Sequence, residues 1–355
     1  MKKISFFLPS LNIGGIEQVF ITYANKLKQR NYDIEFVLCK KEGLLLNSLS
    51  KDINVISLGE IQLRKAFMPL RDYLKMSDPD IIVTGGDFPN IVLIITSLIA
   101  KTKTKIVISQ HNYPNLENSF TWWLRASQLW IKMFYNLSSV ILAVSVGVKT
   151  YLTDDLGLIQ DKVLLLHNPI DYDLMVKKSK EVIEVNLPAK FIVFVGRISV
   201  VKNLQLLIRS FANLQPNNCG LVIVGDGPAL EDLRLLISEL NLTEVYCLGG
   251  VSNPMPIIKD SSCLVLPSFS EAFPTVLLEA MSLNIPIVST PTKGALEILK
   301  GVPNAFISKG FSDEKEFSQL IDKAISSQSI DMKYLLKPYL IENIIEEFED
   351  KILAL

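Results

Sequence analysis

The sequence is short of the residue types that most metal and nucleic-acid sites require. Only two histidines occur among 355 residues, so a His-rich metal site is excluded. Four cysteines are scattered without Cys-x-x-Cys spacing, and we expect reduced core thiols at Cys39, Cys219, Cys247 and Cys263. The formal net charge is −1, which argues against a dedicated nucleic-acid-binding protein.

Long apolar runs are also missing. The longest, Ile91 to Ala100, contains Thr96 and Ser97, and a membrane-spanning helix needs about twenty apolar residues. Residues 1–3 resemble the start of a signal peptide, but the short run 4–9 leads into a glycine loop and predicts a first β-strand. We therefore expect a cytoplasmic protein.

What the chain does have is an alternation of apolar strand-like runs with helical patterns. This alternation is typical of a parallel, doubly wound α/β sheet. The predicted strands of the first half are Ile4–Leu8, Ile34–Leu38, Val55–Leu58, Ile81–Thr84, Ile106–Ser109, Val140–Val144 and Val163–Leu166. The pattern restarts at Phe191, with further strands near Leu221, Val245, Cys263 and Ile287.

The length suits two domains, and the 49% of hydrophobic residues can fill two cores. We predict two Rossmann-like domains, residues 1–170 plus 340–355 and residues 171–339. The last segment, 341–355, reads as an amphipathic helix. Its predicted apolar side consists of Ile341, Ile344, Ile345, Phe348, Ile352 and Leu353.

Two glutamates flank a predicted helix start in the second half. Pro274 suits the first helical position, so Glu271 falls just before the helix and Glu279 inside its apolar run. A carboxylate in such a run is costly unless it is paired; a bound ribose would supply hydroxyls to Glu279, and a bound sugar to Glu271. A diphosphate would suit the helix start between them, at Phe273, Pro274, Thr275 and Val276. The alternative is one acid at a helix N-terminus and one on the surface.

Two glycine loops follow predicted strands in the same half. Gly196-Arg197 ends the run Phe191–Val195, and Lys202 follows Arg197 by five residues. Open α/β sheets bind ligands at the carboxyl ends of their strands, where two cations beside a glycine suit a diphosphate. An ordinary loop with two solvated basic residues is the alternative. Gly225-Asp226-Gly227-Pro228 by itself predicts only a tight turn before a helix.

The first half offers two further candidates at strand ends. Gly14-Gly15 lets a ligand approach the backbone and the next helix, although it is not the Gly-x-Gly-x-x-Gly pattern of dinucleotide sites. A flexible turn is the alternative. His111 follows the run Ile106–Ser109 and is a candidate site residue, with a structural role as its alternative. His167, at the domain junction, is expected to be structural.

Residues 120–135 combine basic and aromatic residues without an acid, and hold Trp122, Trp123, Trp130, Arg125 and Lys132. Basic residues are also in excess in the neighbouring segment 62–75. Such a composition suits an anionic membrane interface. The alternative is that the tryptophans fill the domain core, and the sequence leaves both possibilities standing.

Together these motifs resemble those of the retaining glycosyltransferases of family 4 (glycosyl transferases group 1), which have the GT-B fold. The matching elements are Gly196-Arg197-x4-Lys202-Asn203, Gly225-Asp226-Gly227-Pro228, Glu271-x7-Glu279, Gly14-Gly15-Ile16-Glu17 and His167-Asn168-Pro169. One departure is Ala272, where many members have glycine.

The resemblance implies two domains that face a cleft, with the last helix crossing back to the N-terminal domain. It implies a donor, UDP- or GDP-linked, on the C-terminal domain and an acceptor on the N-terminal one. Arg197, Lys202, Glu271 and His111 would then be catalytic; Gly14, Gly15, Gly196, the segment 273–276 and Glu279 would bind the donor.

The resemblance further implies retention, with the leaving phosphate helping to deprotonate the acceptor. No metal or other cofactor is expected, because two cations and a helix dipole can take a metal's role. Nucleic acid is not expected as a partner. The expected acceptor is a saccharide, lipid-linked in bacterial surface-polysaccharide synthesis, which favours a peripheral enzyme on the inner face of the plasma membrane. Two alternatives are a sugar-nucleotide epimerase of the same fold and a non-catalytic nucleotide-sugar-binding protein.

Overall fold

The structure is a computed structural model that describes residues 2–12, 14–59, 61–113, 121–182, 185–214 and 219–353, without the side chains of 121–127. The chain divides into two compact units. Unit 1 comprises Met1–Pro169 and Ile341–Leu355, and unit 2 comprises Ile170–Leu340. Each unit is built on one parallel sheet, which confirms the predicted α/β class.

Unit 1 contains seven strands within its described residues, in the order β3-β2-β1-β4-β5-β6-β7. They are β1 Lys3–Leu8, β2 Asp33–Leu38, β3 Asn54–Ser57, β4 Ile81–Gly85, β5 Lys105–Gln110, β6 Val140–Ala143 and β7 Val163–Leu165. The connecting helices are α1 Gly15–Gln29, α2 Phe67–Ser77, α3 Asp87–Ala100, α4 Thr121–Phe134 and α5 Val146–Thr150. The strand order reverses between β1 and β4, so ligand-binding loops are expected at their carboxyl ends.

Unit 2 has six strands in its described part, in the order β10-β9-β8-β11-β12-β13. They are β8 Phe191–Val195, β9 Gly220–Val224, β10 Val245–Gly249, β11 Cys263–Leu266, β12 Ile287–Ser289 and β13 Ala305–Ile307. The helices are α6 Tyr172–Lys178, α7 Leu204–Ala212, α8 Leu230–Glu239, α9 Met255–Asp260, α10 Thr275–Ser282, α11 Lys293–Ile298 and α12 Glu314–Ile325. The sequence did not predict β13, whose three residues are only partly buried, unlike the three fully buried residues of β12.

The chain ends on α13, Ile341–Phe348, followed by a π-helical turn over Glu349–Leu353. All six apolar residues predicted for its inner side are buried, and they join the core formed by α1 and the unit 1 sheet. Three ion pairs fasten this segment to α1 and to Arg30, which directly follows it. Lys26 lies 2.7 Å from Glu342, and Arg30 lies 2.5 Å from Glu349 and 3.7 Å from Glu346, so these acids form ion pairs instead of only facing solvent.

None of the helices in the described residues combines the length and apolar character needed to cross a membrane. The four cysteine thiols are free; Cys39, Cys219 and Cys263 are buried and Cys247 is partly exposed.

Candidate functional site

Two loops at the carboxyl edge of the unit 2 sheet pack backbone against backbone. The Ile198 N–H donates to the Asp226 carbonyl at 2.8 Å. Gly225 and Gly227 have φ angles of 143° and 158°, and a Cβ on Gly225 would stand only 1.9 Å from the Gly196 carbonyl oxygen. The glycines after β9 are therefore required for contact with the loop after β8, a role that the turn motif alone did not reveal.

The Lys202 ammonium and the Glu271 carboxylate form an ion pair, with Nζ and Oε1 2.6 Å apart. The Ser268 hydroxyl donates to the same oxygen at 2.6 Å. The side chains of Lys202 and Glu271 are 23% and 11% exposed, so their attraction is screened less than in a surface pair. The two residues are 69 positions apart in the sequence, and no sequence motif predicted that they touch.

Asn203 fixes the backbone that carries Lys202. It lies in the left-handed region with φ 50°. Its side-chain amide donates to the carbonyls of Pro267 at 3.1 Å and Phe311 at 2.9 Å. The loop after β8 is thus held against the loop after β11 independently of the ion pair.

The segment before α10 is also held by backbone contacts with Gly294 of α11. The helix begins at Thr275, so the expectation that Pro274 takes the first helical position was wrong by one residue; its ψ of 97° is not helical. The Gly294 N–H donates to the Glu271 carbonyl at 3.1 Å. A Cβ on Gly294 would lie 2.6 Å from the Ala272 carbonyl oxygen, so the two backbones are in close contact.

The start of α10 presents free backbone donors. No side chain of the described residues caps it, and the first N–H groups of a helix have no partner inside the helix. Thr275 and Val276 are partly exposed, whereas Phe273 is buried with its ring 5.4 Å from that of Tyr339. Phe273 therefore supports the loop, and the following residues offer N–H groups to an anion.

Glu279 stands one turn further along α10. The residue keeps some exposed surface, but protein atoms surround its carboxyl closely. Desolvation raises the pKa of this carboxyl to about 7, and the charge of Lys178 lowers it by a smaller amount. The carboxyl forms no hydrogen bond or ion pair within 4.0 Å to a described residue, so it can accept from ligand hydroxyls.

Arg197 is exposed directly after Gly196 and forms no ion pair with a described residue. A Cβ on Gly196, whose φ is 154°, would lie 4.0 Å from Lys202 Cε, so the lysine stem runs over this glycine. One edge of the sheet thus carries a free guanidinium, a carboxylate-bound ammonium and an uncapped helix start. Together these groups can stabilise a diphosphate, while Glu271 accepts from hydroxyls beside it.

In unit 1, Gly14 lies directly before α1 and Gly15 begins it. A Cβ on Gly14 would stand 2.1 Å from Glu17 Oε2, whereas one on Gly15 would meet nothing within 4 Å. The Glu17 carboxyl therefore folds over the glycine loop. Desolvation raises the pKa of Glu17, and its backbone N–H lowers it by less. The motif already contained Glu17, but its position over the glycines was not predicted.

His111 follows β5 at the same edge of the unit 1 sheet. Its Nε2 lies 2.9 Å from the Ser109 hydroxyl, and its ring meets the Phe20 ring edge-on at 5.9 Å. Although the residue is only partly buried by surface area, desolvation lowers the pKa of its ring to about 3. The imidazole is therefore neutral at pH 7 and can form hydrogen bonds, but it cannot supply a positive charge.

A polar network that sequence reasoning missed lies beside His111. The Gln110 side-chain amide donates to Asp87 Oδ1 at 2.7 Å and to the Asn112 carbonyl at 2.8 Å, and the Tyr135 hydroxyl donates to Gln110 at 2.8 Å. Desolvation raises the pKa of Asp87, and the bond from Gln110 lowers it by less. The signal that could have found Asp87 is its place after Gly85-Gly86, at the end of a predicted strand.

The predicted site residues thus form two groups, one in each unit. Gly196, Arg197, Lys202, Glu271, Glu279 and the segment 273–276 belong to unit 2. Gly14, Gly15 and His111 belong to unit 1. The carbonyl of His167 accepts from the Tyr23 hydroxyl at 3.2 Å, a structural contact. Among the tryptophans, Trp130 is exposed, whereas Trp122 and Trp123 lie outside the described side chains.

Two family models match consecutive parts of the chain. Residues 13–174 match "Glycosyltransferase Family 4", and residues 175–338 match "Glycosyl transferases group 1". The two matches together span nearly the whole sequence.

Two relatives align over most of their length. A Campylobacter jejuni N-acetylgalactosamine-N,N'-diacetylbacillosaminyl-diphospho-undecaprenol 4-alpha-N-acetylgalactosaminyltransferase is 27% identical over 84% of this chain and 83% of its own. An Escherichia coli O-antigen biosynthesis glycosyltransferase is 25% identical over 90% of this chain and 87% of its own.

Solved structures show the same fold. The Anabaena protein HepE in complex with UDP-glucose superposes with a TM-score of 0.82 at 20% identity, covering 100% of both chains. A Thermosynechococcus elongatus sucrose-phosphate synthase gives a TM-score of 0.83 at 14% identity, over 100% of this chain and 99% of its own. Since the family models, the relatives and the paired parallel-sheet units agree, the chain belongs to the family 4-like glycosyltransferases with the GT-B fold.

Proposed function

We propose that the chain transfers a sugar, with retention, from a nucleotide-diphosphate donor held by unit 2 to a saccharide acceptor held by unit 1. The observation that carries this proposal is the Lys202–Glu271 ion pair, 2.6 Å long, beside the uncapped start of α10. A cation and a helix N-terminus favour the leaving diphosphate, and a fixed carboxylate favours sugar hydroxyls.

Each predicted residue has a physical task in this reaction. Arg197 and Lys202 stabilise the negative charge that grows on the diphosphate as the glycosidic bond breaks. Glu271 accepts from the transferred sugar, and Glu279 accepts from the ribose. His111, neutral at pH 7, contributes a hydrogen bond to the sugar rather than a charge. Gly15, where a Cβ would meet nothing within 4 Å, leaves space for the donor phosphates at the start of α1, whereas the Glu17 carboxyl occupies the space beside Gly14.

The acceptor is, in this proposal, a lipid-linked saccharide of surface-polysaccharide assembly. Support comes from the C. jejuni relative, whose name specifies a diphospho-undecaprenol acceptor, and from the O-antigen relative. The HepE complex with UDP-glucose makes a uridine nucleotide the first donor to test, ahead of a guanosine one. An acceptor of this kind requires the enzyme to work peripherally at a membrane surface, on the inner face of the plasma membrane.

A thermal-shift screen followed by a transfer assay tests the function. One class among UDP-, GDP- and ADP-sugars should raise the melting temperature, because a ligand that binds only the folded state stabilises it. That donor should then be consumed only when an undecaprenyl-diphosphate saccharide is added, and NMR of the product should show the donor's anomeric configuration. Epimerisation of the donor without acceptor, or binding without transfer, would contradict the proposal.

Metal chelation should leave the activity intact. The described residues contain no group of three His, Cys, Asp or Glu side chains placed to hold a metal ion. The sequence pair Asp78-Pro79-Asp80 lies before β4, where Asp80 accepts from the Lys3 N–H at 2.7 Å. This is the edge of the sheet opposite to the carboxyl ends of the strands. We expect transfer rates in excess EDTA to match those in magnesium, because Arg197 and Lys202 supply the positive charge. Loss of activity in EDTA, restored by magnesium or manganese, would overturn this expectation.

Donor affinity should depend on pH through Glu279. Its pKa is raised to about 7, so the carboxyl gains a proton as the pH falls through that value and then accepts more weakly from a ribose. We expect the dissociation constant of a nucleotide sugar, which has no titrating phosphate in this range, to rise about tenfold from pH ~8 to pH ~6. Glu279→Gln should bind more weakly but without this dependence. An unchanged pH profile in the variant would assign the titration to another group.

A further inference from the structure

The outer side of α3 is apolar, and the described residues of unit 1 leave much of it exposed. Its other side packs into the core through residues such as Val92, Leu93 and Ile94. Leu98 is 52% exposed and Ile99 48% exposed, while Phe88 near the helix start is half exposed. Because a helix repeats every 3.6 residues, the partly exposed Ile91 and Ile95 fall on the same outer side.

The neighbouring helix α4 carries a second outer stripe. Leu129 is 64% exposed, Trp130 46% and Met133 53%, at positions that share one helical face, and Leu137 follows just after the helix. Trp130 stacks on Phe134 at 5.4 Å instead of filling the core. A single exposed apolar residue is ordinary, but a stripe on each of two adjacent helices is the pattern of an interaction site.

These helices form one layer. α3 contacts α2 on one side and α4 on the other, and it also contacts the 3₁₀ turn Leu63–Lys65. α3 connects two parallel strands, so it begins at the carboxyl edge of the sheet and runs back along it; this edge also carries His111 and the Gly14 loop. The apolar surface therefore extends from the candidate site edge towards the opposite edge.

The charge around this surface is mainly positive. Residues 61–113 and 128–137 contain eight lysines and arginines against four acids. Of those acids, Asp72 pairs with Arg71 at 2.5 Å, whereas Asp80 and Asp87 accept from neutral groups, the Lys3 backbone and Gln110, and keep their charge in the balance. The basic side chains that form no ion pair with a described residue are Arg64, Lys65, Lys75, Lys101, Lys103, Lys105 and Lys132.

We propose that one surface of unit 1, formed by the exposed residues of α2, of α3, of positions 128–134 in α4 and of the Leu63–Lys65 turn, binds an anionic lipid bilayer. Apolar stripes between lysines and arginines match the interfacial and headgroup layers of such a membrane. A second copy of the chain would bring two positive surfaces together, which is unfavourable. If the proposed acceptor is lipid-linked, this binding brings the acceptor edge of unit 1 to the membrane; the membrane contact itself does not depend on that activity.

Vesicle co-sedimentation without acceptor or donor tests the proposal. The wild type should bind vesicles with about 30% phosphatidylglycerol, bind pure phosphatidylcholine weakly, and be released by high salt. Arg64→Gln, Lys65→Gln and Lys132→Gln combined should weaken binding about a hundredfold, since each charge contributes roughly fivefold. Leu129→Ser with Trp130→Ser should weaken it at least about tenfold at every salt concentration.

Matched variants in unit 2 provide the controls. Lys259→Gln, Lys300→Gln and Lys323→Gln remove the same charge, and Leu235→Ser with Leu296→Ser removes exposed apolar side chains; all should bind vesicles like the wild type. Melting temperatures and nucleotide-sugar binding should stay unchanged in every variant, so a failure of the proposed activity is distinguished from a failure of this surface. Three results would overturn the proposal. The wild type does not bind anionic vesicles at low salt, the control variants lose as much binding as the test variants, or the wild type is a dimer and the Leu129→Ser, Trp130→Ser variant is not.

Discussion

Replacing Lys202 by alanine is expected to lower the rate of sugar transfer by about a hundredfold or more, as for other removed stabilisers of transition-state charge. The ammonium is lost from the diphosphate site, and Glu271, 2.6 Å away, loses its cation at the same time. Asn203 holds the loop through two carbonyls, so the melting temperature should change little. The measurement is the turnover number at saturating donor.

Arg197→Ala and Lys259→Ala define what the Lys202 result means. Arg197 has no ion-pair partner among the described residues, so its removal should cause a similar loss through charge alone. Lys259 is exposed on the same unit and should have no effect. Because Lys202 and Glu271 touch, their double variant should lose less than the product of the two single losses. Near-normal turnover in either Lys202→Ala or Arg197→Ala would refute the phosphate site.

Glu271→Gln and Glu279→Gln are expected to separate turnover from nucleotide binding. The Glu279 carboxyl forms no hydrogen bond or ion pair with a described residue and would face the ribose, so its amide variant should bind a free nucleoside diphosphate about tenfold more weakly. Glu271 would face the sugar, which a free nucleotide lacks. Its variant should keep nucleotide affinity but transfer roughly a hundredfold more slowly.

Calorimetry with the nucleoside diphosphate and kinetics with the intact donor make this comparison. Glu297→Gln, a change to a partly exposed acid on α11, controls for loss of negative charge in unit 2. If both site variants lost nucleotide affinity equally, the separate roles of the two carboxylates would be wrong. A Glu271→Gln enzyme with normal turnover would instead show that the Lys202 ion pair is only structural.

Local patterns in the sequence were enough for most of the fold. Buried parallel strands are continuous apolar runs, and an amphipathic helix repeats its apolar residues at helical spacing; both signals extend over neighbouring residues. The strands from β1 to β12 and the buried side of α13 were therefore predicted. Elements with weak local signals were not, as β13 and the one-residue error at Pro274 show.

The motifs similarly indicated which residues form the candidate site, but not how they contact one another. A glycine in a turn motif predicts backbone freedom, whereas the reason for Gly225 is a carbonyl of another loop that a Cβ would strike. Glu271 and Lys202 were each predicted as site residues, but their ion pair arises only when β8 and β11 lie side by side.

Burial was the other property that only the tertiary structure decided. Ile91–Ala100 is apolar except for Thr96 and Ser97, so its sequence could not show that Leu98 and Ile99 face outward. The Asp87 carboxylate is held by a hydrogen bond from Gln110, which in turn accepts from Tyr135; both residues come later in the chain than β4. The sequence by itself determined the strands, the helices and the set of chemically useful residues, because these depend on near neighbours in the chain. Contact, desolvation and exposure depend on residues far apart in sequence that the parallel sheets bring together.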